Sequence, residues 1–157
     1  MTIDVLIEIN KGSRNKYEID KESGRVKLDR VLRSSVGYPA EYGFVPDTHY
    51  SDGDPLDVLV IMRFPTVPGC IVSARPIGVL KMIDTGEHDE KIIAVPADDV
   101  YYDSYKDIKD VPKPLLDEIS EFFASYKKLE KKKWVKVGGF GGRVLSESII
   151  KKSYIKK

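Results

Sequence analysis

The apolar residues of this chain change period once, and that switch decides what it can fold into. Up to about residue 100 they lie in short segments parted by turn residues, the pattern of strands. IDVLIEI at 3–9 precedes the polar break NKGSRN, and KYEID and RVKLDRVL flank KESG, a hairpin turn where Gly24 can take positive φ. PLDVLVIM, CIVSARPIGVLKMID and KIIAVP add further strand segments, broken at Pro65, Pro68, Gly69 and TGEHDE. From Pro114 the step becomes three and four. Leu115, Ile119, Phe122, Phe123, Tyr126 and Leu129 then form one apolar stripe on a helix of about five turns. Pro112 and Pro114 suit its start, and Lys127, Lys128 and Lys131 to Lys133 suit its negative end. RVLSESIIKKSYIKK, after GGFGG, reads as a second, weaker helix. No repeat, linker or low-complexity tract interrupts the 157 residues. The expectation is one α+β domain over 1–157, with a mostly antiparallel β core and helices packed outside it.

Charge narrows the function classes. Lys and Arg number 26 against 25 Asp and Glu, which argues against a nucleic-acid partner, since such proteins carry a basic excess. The N-terminal MTIDVLIEIN has no basic leader and carries Asp4 and Glu8 within its apolar stretch. No apolar run approaches the ~20 residues that span a bilayer. The expected location is the cytoplasm, with no membrane partner. The single cysteine, Cys70 in PGCIVSARP, reads as a buried, inert thiol.

Against this ordinary background, DGDPLDVLV at 52–60 crowds Asp52, Asp54 and Asp57 in front of an aliphatic strand. Like charges so close raise each other's pKa and cost stability unless something positive sits among them. A metal ion, an Arg/Lys cluster or a solvated turn would each answer. Asp84 ends one strand and Asp89 precedes Lys91 at the start of the next, so acidic turns from two strand ends can build an oxygen-rich pocket of the kind Mg²⁺ prefers. Lys16 and Glu18 alternate with Tyr17 and Ile19 and share one strand face. Arg30 closes the next strand, and Lys127 follows Tyr126 on the helix. Carboxylates and cations around one cavity suit metal ions with a polyanion, phosphate above all. Taken singly, each piece is more often an ordinary turn or a solvated helix face. The loop is no EF-hand, because Arg63 stands where the bidentate Glu belongs, and GGFGG is followed by no GK[ST]. His49 and His88 lack partner spacing and read as surface residues. From residues alone the reading is metal-dependent phosphate chemistry.

The pieces also stand in a known order. KYEIDKESG, YPAEYGFVPDT, DGDPLDVLV, RPIGVLKMID, HDEKIIAVP and YKKLEKKKWVKV, collinear from Glu8 to Val137, closely resemble the family I soluble inorganic pyrophosphatases. DGDPxDVLV is that family's signature stretch. The resemblance implies a five-stranded closed barrel of oligonucleotide-binding type with helices outside, usually assembled as a homohexamer. It also implies Mg²⁺-dependent hydrolysis of pyrophosphate to orthophosphate, by in-line attack of a metal-bridged water or hydroxide. Mn²⁺, Zn²⁺ or Co²⁺ are possible substitutes for Mg²⁺. By motif position, Asp52, Asp57 and Asp89 would hold the activating metals, Asp84 and Asp89 one that arrives with substrate, and Glu18 another. Asp54 would be the general base. Lys16, Arg30, Tyr126 and Lys127 would bind phosphate oxygens, with Lys91 near the cluster. Tyr42 would orient the carboxylates, Tyr38 would line the cavity, and Glu8 matches the family's cavity glutamate.

The chain departs from the pattern in three places. Thr85 follows Asp84 where many bacterial members are acidic, the stretch from Glu8 to Lys16 is one residue shorter, and the match fades after Val137. Two other readings use the same residues. One is a barrel that binds without catalysis. The other is a phosphohydrolase of nucleotides or polyphosphate, for which Tyr101, Tyr102 and Tyr105 could stack a base unless they pack against the barrel or a neighbouring subunit.

Overall fold

A computed structural model describes residues 1–51 and 53–156. Five strands pair into a ring: β1 (Ile3–Ile9), β4 (Glu41–Phe44), β5 (Asp57–Val60), β8 (Lys91–Pro96) and β6 (Ile71–Asp84), with β6 returning to β1. The pairs are antiparallel except β5 with β8, which run parallel. A parallel pair needs a long connection, and here β6 and β7 (Glu87–His88) supply it. β9 (Val135–Gly142) adds to β6 outside the ring, and β2 (Asn15–Ile19) with β3 (Val26–Val31) forms a separate hairpin. The helices are α1 (Lys113–Ser125) and α2 (Arg143–Ser153), with short 3-10 turns at Val100–Tyr102 and Ile108–Asp110.

Alternation along the strands divides the core in two. Val58, Val60, Ile92 and Ala94 join Ile3, Val5 and Ile7, closed by Ile150 of α2. Leu59, Ile93 and Val95 face the other way and meet Ile119, Phe122 and Phe123 of α1. Where β1 meets β4 the backbones come so close that a Cβ on Gly43 would lie 2.0 Å from the Leu6 carbonyl oxygen. A side chain there would force the two strands apart. In the β2–β3 turn Gly24 does take positive φ, 69°. No helix among the described residues is long and apolar enough to cross a membrane.

Two expectations are corrected, for the first helix and for Cys70, and two segments given no element form strands. The first helix ends at Ser125, well short of five turns, and Leu129 is 62% exposed rather than part of the stripe. Continuing it would set Lys127 beside Lys131 and Lys128 beside Lys132, like charges one turn apart. The chain instead turns through i→i−3 bonds, from Lys128 to Ser125 and from Glu130 to Lys127. GGFGG, which the sequence reading gave no element, lies within β9. Its glycines pack close to β6, where Gly78 faces Gly142 and a Cβ on Gly78 would meet the Gly141 carbonyl at 2.8 Å. The EYGF segment, not read as a strand, forms β4. Cys70 is half-buried, because it closes the turn into β6 and its carbonyl accepts from Ile7 N–H at 2.8 Å. His49 and His88 are exposed, as expected. Tyr102 is buried, meets Tyr101 and Tyr105 edge to face, and offers its carbonyl to Arg75 at 2.9 Å, so packing accounts for this cluster.

Candidate active site

The parallel register Val58↔Ile92 brings Asp57 and Lys91 together at the start of β5 and β8. Lys91 is 2% exposed, and its Nζ lies 2.6 Å from Asp57 Oδ2, 2.8 and 2.9 Å from the two Asp89 oxygens, and 3.0 Å from Tyr42 Oη. Burial by itself would lower the lysine's pKa, but the charge of Asp57 and its neighbours outweighs it and lifts the ammonium well above its ordinary range. Burial likewise pushes the Tyr42 and Tyr126 phenols well up, so neither ionises near neutral pH.

Around this floor the cavity, ≈ 880 Å³, is lined by Glu8, Lys16, Glu18, Tyr42, Asp54, Asp57, Asp84, Asp89, Lys91, Tyr126 and Lys127. Asp84, at the end of β6, pairs with Lys127 and accepts from Thr85 Oγ1 at 2.9 Å. Burial opposes its ionisation, but the Lys127 bond and charge and the Thr85 hydroxyl prevail, so its carboxyl stays below the usual range. On the hairpin, Lys16 and Arg30 are cross-strand partners that share Asp29, at 3.1 and 2.8 Å. Arg30 also meets Glu130 at 2.8 Å.

Glu8 accepts from Ile19 N–H at 2.9 Å, which ties the hairpin to β1. Its carboxyl is pushed up to about 7, chiefly by burial and further by Asp57, against the Ile19 bond and the Lys16 charge. A carboxyl whose folded pKa is raised binds its proton more tightly in the fold. Glu8 therefore favours folding least above about pH 7, and its penalty shrinks as pH falls toward its ordinary 4.5. Glu8→Gln keeps an acceptor for Ile19 and loses the charge. In chelator, its melting temperature should exceed wild type at pH 8, with the gap closing at pH 5. A gap independent of pH would refute this.

Two expected residues lie elsewhere. Tyr38 does not line the cavity. It is 2% exposed and packs behind Tyr42, ring centroids 5.2 Å apart, and against Phe122 at 4.5 Å. Arg30 lines an adjoining space of ≈ 560 Å³ with Glu130, Lys131 and Lys133, and the latter two lysines line the main cavity as well. Asp52 falls outside the described residues. Sequence reasoning missed Asp29 and Glu130, the partners of Arg30, and the cavity residues Lys21, Glu87 and Lys131 to Lys133. The hairpin spacing that sets Lys16 against Arg30 is the signal that could have found Asp29.

Among the described residues, no three or more His, Cys, Asp or Glu are gathered as a ready-made metal cluster. The acidic groups facing the cavity are nevertheless carboxylates throughout, from Glu8, Glu18, Asp54, Asp57, Asp84, Glu87 and Asp89. That donor set fits hard divalent cations, and the lysines opposite them fit a small polyanion.

The sequence model of the family described as inorganic pyrophosphatase matches residues 5–156. The inorganic pyrophosphatase of Synechocystis is 61% identical over 130 residues, 83% of this chain and 77% of that protein. That of Haloferax volcanii is 50% identical over 148 residues, 94% of this chain and 84% of that protein. The solved inorganic pyrophosphatase of Thermus thermophilus superposes with a TM-score of 0.95 at 44% identity, covering 97% of this chain and 88% of that one. The Helicobacter pylori enzyme gives 0.94 at 48% identity, covering 97% and 91%. The chain belongs to the family I soluble inorganic pyrophosphatases, enzymes that hydrolyse pyrophosphate.

Proposed function

We propose that this chain hydrolyses pyrophosphate to orthophosphate with Mg²⁺, several ions per site, in the cavity floored by Lys91. The observation that carries this reading is a carboxylate-lined cavity whose buried Lys91 joins Asp57 to Asp89. Asp54 takes the proton of the attacking water as general base. Lys16, Arg30, Tyr126 and Lys127 hold phosphate oxygens, and Asp29 keeps Lys16 and Arg30 together on the hairpin. Asp52, Asp57, Asp84, Asp89 and Glu18 are the carboxylates offered to cations, and Lys127 and Asp84, paired with each other, part to take phosphate and cation respectively. When bound, divalent ions neutralise phosphate charge and make water more acidic. Tyr42 steadies Lys91 by accepting its hydrogen bond, and Tyr38 supports Tyr42 from behind rather than touching substrate. Positioning and charge stabilisation then supply most of the catalysis, because phosphoryl transfer needs little covalent help.

The family resemblance further supports a single domain over the whole chain, with the ring of five strands as a barrel of oligonucleotide-binding type. It likewise supports a homohexamer working in the cytoplasm, with Mn²⁺, Zn²⁺ or Co²⁺ as substitute ions. Orthophosphate release from pyrophosphate, ATP and tripolyphosphate tests the substrate. Release from pyrophosphate far above the other two is expected, whereas comparable rates on ATP would point to a nucleotide hydrolase.

A further inference from the structure

The loop joining β4 to β5 brings Asp54 to the cavity that Asp89 also lines, although like charges drive the two apart. Its base is held by the end of α2. His49 N–H donates to the Ser153 carbonyl at 2.7 Å, Ile155 N–H to the Asp47 carbonyl at 3.0 Å, and Thr48 bridges to Tyr154. Its tip closes on itself, with Tyr50 N–H donating to the Asp54 carbonyl and Gly53 N–H to the Tyr50 carbonyl, both at 2.9 Å. None of these bonds reaches the segment that carries Asp89. The side chains of Tyr50 and Ser51 do. Tyr50 Oη donates to Glu90 Oε2 at 2.7 Å, and Ser51 Oγ donates to the His88 carbonyl at 2.9 Å. Glu90 Oε1 also lies 3.2 Å from His88 Nδ1. The Tyr50 ring packs against the apolar cluster of Val58 and Ile92, so its hydroxyl is delivered by a fixed body. Glu90 stands between Asp89 and Lys91, both part of the cavity floor.

We propose that Tyr50, through Glu90, is a positioning residue that fixes the spacing between the Asp54 loop and Asp89, and thereby sets the cavity's affinity for divalent cations. This rests on reading the cavity as a cation and pyrophosphate site. A cation shared by two chain segments is held only as tightly as their separation is fixed. Partners that orient ligating groups without touching the metal typically matter by ~10–100-fold in affinity.

The test is calorimetric titration with Mg²⁺ alone, without pyrophosphate, on wild type, Tyr50→Phe, Glu90→Ala and the double variant. Tyr50→Phe should weaken Mg²⁺ binding about tenfold. The Mg²⁺ concentration for half-maximal pyrophosphate hydrolysis should rise by a similar factor, and kcat at saturating Mg²⁺ should fall by less. Glu90→Ala should show the same loss and the double variant no further loss, because both break one bond. Glu90→Gln, which still offers an oxygen to the hydroxyl, should keep most of the affinity. A Tyr50→Phe protein of wild-type urea midpoint that binds Mg²⁺ like wild type would overturn the inference, as would single losses that add. Failure of wild type to hydrolyse pyrophosphate would instead sink the proposed function, and the calorimetry would still decide the role of Tyr50.

Discussion

Lys91→Met is expected to lose about 3–5 kcal/mol of stability in metal-free solution, seen as a lower urea midpoint. Methionine can occupy the space of the lysine stem, so the packing loss is small. The charge loss is not. Asp57 and Asp89 face each other across the ammonium at 2.6 and 2.8 Å, and with it gone two poorly hydrated carboxylates repel without relief. Because the folded pKa of Lys91 lies above its ordinary 10.5, the stabilisation is complete at neutral pH. It is lost only in alkaline solution, as pH rises through that folded value. Divalent cations should close much of the gap by neutralising the same carboxylates. A ligand at a hundred times its Kd adds about 2.7 kcal/mol. Equal midpoints for Lys91→Met and wild type in chelator would show that the cluster is not a strained centre.

Asp54→Asn is expected to lower kcat by about 10²–10⁴-fold, the usual worth of a positioned proton acceptor. The side chain is exposed at the cavity and the replacement is nearly isosteric, so stability should change little. The acid limb of the pH–rate profile should disappear with the carboxylate. Loss of rate with that limb intact would move the role of base to another group, and a loss below tenfold would remove Asp54 from the chemistry.

The sequence made the ends of strands legible because charge and apolar runs alternate there without ambiguity. Asp57 at the start of DVLV and Lys91 at the start of KIIAVP both stand out in this way, and so did the Lys16 and Glu18 face. Their meeting did not, because it depends on the parallel pairing of β5 with β8 and the return of β6 to β1, where Ile3 faces Ala74. Such non-local pairings leave no periodic trace in a single chain. β9 escaped notice because its glycines carry no apolar alternation, although they are what lets it lie close to β6. Tyr38 sits one layer behind the cavity wall that its motif position suggests. A tyrosine serves equally in a cavity wall or behind one, and only its packing against Phe122 decides. Leu129 matched the helical step by coincidence of spacing, while the lysine run around it opposed the helix.

The most direct measurement is orthophosphate release from pyrophosphate as Mg²⁺ is titrated up from chelator. The expected result is no release without the ion and a saturable rise as it is added, because the carboxylates that line the cavity need cations before they can admit a polyanion. Release that persists undiminished in chelator, or that fails at every Mg²⁺ concentration while the fold is intact, would contradict the account.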